Sequence, residues 1–156
     1  EMFKSLAKVD YVDINYKGGA LAVASVAAGE TQFCIVDMGS ASPYMQSPRG
    51  VRALAVTTPQ RFKLLPNMPT MAESGVPGYS YTANIVLFAP SKVPADIIAR
   101  FSTDLKRVLA MPDVIARIES IGNEVVASSV EETGRAMRAD AEQWAKLVKE
   151  RKIAFP

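Results

Sequence analysis

The groups in this chain that could bind a ligand are concentrated in three short polar segments, each following an apolar run. They are Tyr16-Lys17-Gly18-Gly19, Asp37-Met-Gly-Ser-Ala-Ser42 and Thr57-Thr58. In an open parallel sheet, ligands collect beyond the carboxyl ends of the strands, where loops lead into helices. We therefore treat the three segments as candidate binding loops and ask what each could recognise.

The first loop combines two glycines with the start of a predicted helix. Gly18 and Gly19 allow the backbone to approach a ligand closely, and the helix that follows offers free N–H groups and a partial positive charge. Together with Tyr16 and Lys17, this arrangement could form a carboxylate-binding cradle. A tight turn with no ligand is the alternative, because Gly-Gly also occurs there.

The second loop supplies an acid and hydroxyl groups at the same predicted edge. Ser40 is a candidate hydrogen-bond donor to a ligand, and Asp37 has two possible roles: a ligand contact, or a cap of the following helix. The loop should face the first one. Thr57 and Thr58 rank last, because threonine at a strand end is more often structural.

The sequence lacks the groups that acid–base and nucleophilic catalysis usually require. It contains no histidine, and its single cysteine, Cys34, lies in an apolar pattern typical of a buried, unreactive thiol. Asp10 and Asp13 have no histidine or cysteine nearby, which disfavours a metal site. We predict a binding protein rather than an enzyme, with no metal and no cofactor.

Composition and charge disfavour two other function classes. The 156 residues are 49% hydrophobic and 22% charged, which is ordinary for a globular domain with a core. The net charge of +2 arises from basic residues interleaved with acids, so nucleic-acid binding is disfavoured. The longest apolar stretch, residues 20–28, is too short to span a bilayer, and no signal peptide is recognisable.

The first half of the chain alternates between helix and strand patterns, which predicts an α/β architecture. Apolar runs predict three strands of a parallel sheet, over residues 9–16, 33–36 and 51–56. Helical patterns cover residues 1–8, a segment from Gly18-Gly19 to about Ala28 that Gly29 ends, and residues 41–46.

The second half is first interrupted by prolines and then becomes helical. Thr70-Met-Ala-Glu73 has the capping-box pattern and predicts one short helix, with Arg61 and Glu73 as a local ion pair. Residues 79–88 predict a long strand, and a further short strand is possible over 124–127. Three helices follow: one from Pro94, one from Pro112 through Ile121 that Gly122 ends, and one capped by Ser129-Val-Glu-Glu132 that carries Trp144.

Four of these segments together resemble one protein family. They are Tyr16-Lys-Gly-Gly19, Arg52-Ala-Leu-Ala-Val-Thr-Thr-Pro-Gln-Arg61, Leu65-Pro-Asn-Met-Pro-Thr-Met-Ala-Glu-Ser-Gly-Val-Pro-Gly78 and Leu87-Phe-Ala-Pro90. The chain is similar to the Bug-type extracytoplasmic solute receptors of tripartite tricarboxylate transporters. The resemblance runs nearly end to end and corresponds to the C-terminal half of such a receptor.

The resemblance implies the two-lobed, type II periplasmic-binding-protein fold. Residues 1–84 are then part of the second α/β ligand-binding lobe, and residues 85–156 form the hinge strand and the helices that return to the first lobe. The resemblance does not specify an oligomeric state.

The resemblance also implies a function: capture of a small organic carboxylate in the periplasm for the membrane subunits of a transporter. The implied ligand-binding residues are Tyr16, Lys17, Gly18, Gly19, Asp37 and Ser40. A ligand-sensing effector domain of a transcriptional regulator shares the two-lobed fold and is the alternative.

Overall fold

The computed structural model describes residues 1–48 and 50–151, and within them the regular structure is helical. The helices are α1 (Met2–Ala7), α2 (Gly19–Ala27), α3 (Met38–Met45), α4 (Ala95–Leu109), α5 (Pro112–Ser120) and α6 (Val130–Arg151). Every helix that the sequence predicted on either side of residues 51–90 is present. The predicted second part extends to residue 156, and residues 152–156 of it lie outside the described residues.

The helices begin and end where local chemistry dictates. Ser129 and Glu132 cap α6 reciprocally: the Ser129 N–H donates to Glu132 Oε2 at 2.7 Å, and the Glu132 N–H donates to Ser129 Oγ at 3.1 Å. Pro112 occupies the first turn of α5, where no backbone donor is needed. Gly29, with φ 78°, ends α2 as predicted.

Helix α3 is the one whose start differs most from the prediction. The apolar pattern suggested residues 41–46, whereas the helix runs over Met38–Met45. The earlier start follows from Asp37, whose carboxylate accepts from the Ser40 N–H and so satisfies an N–H that the helix itself cannot pair.

The predicted strands are not paired with one another. Among residues 1–48 and 50–151 the only β pairing is an isolated parallel bridge between Val56 and Thr70, so the prediction of a hydrogen-bonded sheet is wrong for the segments 9–16, 33–36 and 51–56. Residues 79–88 and 124–127 likewise carry no ladder. An apolar pattern indicates that one face of a segment is to be buried. It does not specify which other segment pairs with its backbone N–H and carbonyl groups.

The proline-rich connection is held by its capping box, although the short helix predicted there is absent. The Thr70 N–H donates to Glu73 Oε2 at 2.8 Å and the Glu73 N–H to Thr70 Oγ1 at 3.1 Å, around a turn over residues 71–75. Arg61 Nε donates to both Glu73 oxygens at 3.1 Å, which confirms the predicted ion pair. These bonds lower the pKa of Glu73, with the Thr70 N–H contributing most.

Two aromatic clusters anchor the irregular segments to helices. The Tyr11 ring packs edge-on to Phe33, with centroids 5.0 Å apart, and both contact Phe3 of α1. The Trp144 ring of α6 packs edge-on to Tyr81 at 5.6 Å. Cys34 is half-buried and burial raises the pKa of its thiol, so little reactive thiolate forms at neutral pH.

Several apolar side chains have no cover among the described residues. Among the residues whose burial is described, only Val23, Val76 and Tyr79 are buried hydrophobic residues, while Val12, Ile85 and Phe88 are 86%, 85% and 78% exposed. These exposed residues lie in the segments that carry strand patterns. No helix in the described part of the chain is both long and apolar enough to cross a membrane.

Candidate functional site

The first candidate loop places an uncapped helix start at the surface. Gly18 precedes α2 with φ 111° and ψ 161°, and its N–H donates to the Tyr16 carbonyl at 2.9 Å. No side chain caps α2. Because the first N–H groups of a helix have no partner within it, the start of α2 can donate to an anion from outside.

The second candidate loop is closed by its own acid. The Ser40 N–H donates to Asp37 Oδ1 at 2.8 Å, and Ser40 Oγ donates to Asp37 Oδ2 at 2.8 Å. These two bonds, the side-chain one first, hold the pKa of Asp37 below its ordinary value. Their stabilisation is therefore present above the ordinary carboxyl pKa of about 4 and is lost as the pH falls through the lower folded-state pKa. Asp37 therefore caps α3, and the prediction that it contacts a ligand stays a prediction.

The two loops meet, as the sequence predicted. Helices α2 and α3 pack together, and a Cβ added at Gly19 would lie 2.6 Å from Ser40 Oγ and 3.1 Å from Asp37 Oδ2. A side chain at position 19 would therefore displace Ser40, so glycine favours the close packing of the two helix starts. Gly18, by contrast, has nothing within 4 Å of an added Cβ, so its backbone conformation is what requires glycine.

The predicted site residues therefore fall into one cluster with distinct positions. Tyr16, Lys17, Gly18 and Asp37 are exposed, while Gly19 and Ser40 are half-buried at the contact between the helices. The cluster presents one open helix N-terminus, one hydroxyl and one acid whose oxygens are already engaged. The donors that it offers to an anion are the N–H groups at the start of α2, because the Ser40 O–H is already donated to Asp37. Within residues 1–48 and 50–151, no group of three acidic, cysteine or histidine side chains could hold a metal ion.

The third candidate loop has a structural role. Thr58 Oγ1 donates to the Gln60 carbonyl at 2.6 Å, and the Thr57 carbonyl accepts from the Tyr81 N–H at 2.8 Å. Both groups hold the chain near the proline-rich connection. They do not join the cluster of Gly19 and Ser40.

Sequence reasoning missed a further element at this cluster, the turn after α5. A Cβ added at Gly39, in the first turn of α3, would lie 2.9 Å from the Ile121 carbonyl oxygen. Gly122 is readable in the sequence as a helix stop. Its neighbour in α3 is more than eighty residues away, and no local pattern signals such a contact.

We expect Asp37→Ala to lower the free energy of unfolding by about 1 kcal/mol, because it removes the cap of α3. Asp37→Asn is the matched control, since asparagine caps a helix about as well as aspartate, and it should lose much less. Urea unfolding of both variants measures the difference. Equal losses in the two variants would contradict the capping role.

Comparison with known proteins gives a consistent result. A family model described as "Tripartite tricarboxylate transporter family receptor" matches residues 1–153. The chain is 29% identical over 148 residues to "UPF0065 protein in tcbD-tcbE intergenic region" of Pseudomonas sp. (strain P51), covering 94% of this chain and 44% of that protein. It thus spans about half the length of such a relative.

Two solved structures share the fold. "R. palustris Rpa4515 with adipate" matches 98% of this chain and 51% of that one, with a TM-score of 0.83 and 29% identity. "Structure of periplasmic binding protein BugD" matches 96% of this chain and 50% of that one, with a TM-score of 0.68 and 26% identity. The fold is that of part of a periplasmic binding protein, as predicted.

Proposed function

Because this chain belongs to the tripartite tricarboxylate transporter receptor family, we propose that the complete protein binds a small organic carboxylate. The observation that carries the proposal is the uncapped start of α2 at Gly18-Gly19, packed beside the hydroxyl of Ser40. One similar structure, Rpa4515, is described with adipate, a dicarboxylate. That description supports a carboxylate as the class of ligand.

The proposal depends on a difference between two helix starts that lie side by side. At α3 the carboxylate of Asp37 already occupies the position that a bound anion would take. At α2 no side chain does so, and the N-terminal partial charge of about half a unit is available to a ligand. An anionic ligand would therefore be accepted at α2.

The residues of the cluster then have separate roles. The N–H groups at the start of α2 donate to the ligand carboxylate, and Tyr16 and Lys17 supply a phenol and a cationic side chain at the rim. The Ser40 hydroxyl donates to Asp37 in the absence of ligand, so it would donate to the ligand only after its O–H rotates away from Asp37. Asp37 holds Ser40 in place and reaches the ligand only through that hydroxyl or a bridging water, since direct contact between carboxylates would be repulsive. Asp37→Asn should accordingly preserve affinity.

We further propose the two-part organisation in which residues 1–84 and 85–156 belong to different lobes that close on the ligand. The segment around residue 85 would be the crossing, and closure would follow from better ligand contacts in the closed state. The complete protein would act in the periplasm and deliver its ligand to membrane subunits of a transporter. The family match favours this role over a regulatory effector domain.

The test is titration of the complete protein with adipate and with adipamide, its uncharged analogue, by isothermal calorimetry. Adipate or another dicarboxylate of similar length should bind. Because the ligand binds the folded state, it should also raise the unfolding temperature. The expected stabilisation is about 2.7 kcal/mol at a free ligand concentration of a hundred times the dissociation constant. Adipamide should not bind. Absence of binding by dicarboxylates, tricarboxylates and monocarboxylates alike would refute the proposal.

A further inference from the structure

The turn that ends α5 is built as a Schellman motif. The Asn123 N–H donates to the Ile118 carbonyl at 3.2 Å and the Gly122 N–H to the Glu119 carbonyl at 2.9 Å, with Gly122 at φ 81°. This motif projects the Ile121 carbonyl and the Gly122 Cα outward together. They meet the first turn of α3.

Glycine on both sides lets the two turns approach closely. A Cβ at Gly122 would lie 2.8 Å from both Cβ and Cγ of Met38 and 3.1 Å from the Gly39 nitrogen. On the other side, a Cβ at Gly39 would lie 2.9 Å from the Ile121 carbonyl oxygen. Neither side has room for a side chain, so the separation of the two turns is narrowly defined.

The charges of the two turns are complementary. The carbonyl end of α5 carries partial negative charge, and the amide end of α3 carries partial positive charge. Ser40 belongs to the same first turn of α3 and touches Gly19 of the proposed ligand cradle. The position of the α5 turn therefore influences where Ser40 lies relative to α2.

A second contact holds the α5 turn to the first part of the chain. The Lys63 N–H donates to Glu124 Oε1 at 2.9 Å, and Lys63 Nζ lies 3.3 Å from Glu119 Oε1. The first of these is a charge-assisted hydrogen bond to a backbone donor and is the stronger kind. The α5 turn is thus tied to residue 63 as well as to α3.

We infer that Gly122 is a positioning residue for ligand binding, acting through the first turn of α3. The inference rests on the proposed function. With glycine at 122, the α5 turn seats against Met38 and Gly39 and keeps Ser40 against Gly19. Because α5 follows the proposed crossing near residue 85, the contact between the α5 turn and α3 links the two proposed lobes. A ligand bound at Gly18, Gly19 and Ser40 would favour the state in which the α5 turn contacts α3.

The test compares Gly122→Ala with Gly29→Ala in the complete protein. Gly29 occupies the equivalent position of a Schellman motif at the end of α2, with φ 78°, and a Cβ there meets nothing within 4 Å. The two substitutions therefore cause similar backbone strain, and only Gly122→Ala introduces a methyl group that clashes with α3. Calorimetric titration with adipate should give an affinity within about twofold of the native value for Gly29→Ala and at least about fivefold weaker for Gly122→Ala.

Amide hydrogen exchange over residues 38–41 without ligand provides a second readout. Exchange there should rise in Gly122→Ala and stay unchanged in Gly29→Ala. Equal adipate affinities in the two variants would overturn the positioning role while leaving the proposed function intact. If the native protein binds no carboxylate, the proposed function fails, and unchanged exchange in Gly122→Ala would separately overturn the contact.

A milder variant covers the case in which Gly122→Ala does not fold. Glu124→Ala keeps the glycine and removes only the acceptor of the Lys63 N–H. It should raise exchange over residues 38–41 and weaken adipate binding by more than any change measured in Gly29→Ala. Native affinity together with native exchange in this variant would overturn the inference.

Discussion

Replacing Gly18 with alanine should weaken adipate binding by the complete protein at least about tenfold. Gly18 adopts φ 111° and ψ 161°, a region that is essentially restricted to glycine and costs other residues about 1–3 kcal/mol. The loop relieves that strain by rotating the peptide that leads into α2, which turns the cradle N–H groups away from the ligand. One lost hydrogen bond to a charged group is worth about 1.5–3 kcal/mol, which corresponds to at least tenfold in affinity.

Gly75 provides a matched control for this experiment. It has φ 102°, and like Gly18 it has nothing within 4 Å of an added Cβ, but it lies in the turn of the proline-rich connection. Gly75→Ala should therefore lower stability by a comparable amount and leave the affinity for adipate unchanged. If the two variants lose affinity equally, strain alone accounts for the effect and Gly18 has no part in the cradle.

The features that were predicted correctly from the sequence are those set by residues close together along the chain. A capping box such as Ser129 with Glu132 needs only a three-residue spacing, and both hydrogen bonds that it implies are present. Gly29 ends α2 in the same local manner, by adopting a conformation that other residues avoid. The helix start at Gly18-Gly19 belongs to this class, since its glycines and the helix they open are adjacent, while its role as a ligand cradle stays a prediction.

What could not be predicted depends on contacts between distant segments. The strand patterns over residues 9–16 and 51–56 indicate apolar faces, yet these segments form no ladder with each other, and Val12 and Leu54 are exposed. A one-dimensional pattern specifies the period of the side chains but not the pairing partner. Asp37 shows the same limit: its type and place allowed either a ligand contact or a cap. Its bonds with Ser40 show the cap, and the ligand contact stays a prediction.

Replacing Gly50 with alanine should have the largest effect on stability of any single change considered. Gly50 closes the connection after α3: its N–H donates to the Ser47 carbonyl at 2.9 Å, and the next N–H, of Val51, donates to the Tyr44 carbonyl at 3.3 Å. An added Cβ would overlap the Tyr44 carbonyl oxygen and lie 2.7 Å from the Ser47 carbonyl oxygen. Both obstacles are backbone atoms, so no side-chain rotation relieves the clash.

The end of α3 must therefore open to admit the methyl group, and we expect the free energy of unfolding to fall by about 3 kcal/mol or more. Gly78→Ala is the control, because Gly78 has φ 79° with open space around an added Cβ and should lose only about 1 kcal/mol. Urea unfolding of the two variants distinguishes steric overlap from backbone strain. A difference of less than about 0.5 kcal/mol between the two losses is smaller than a typical single-mutation effect. Such a result would mean that the turn after α3 is not as tightly closed as its hydrogen bonds indicate.

Adipate should partly restore the stability of Gly50→Ala, since a ligand that binds only the folded state favours the arrangement of α2 and α3 that forms its site.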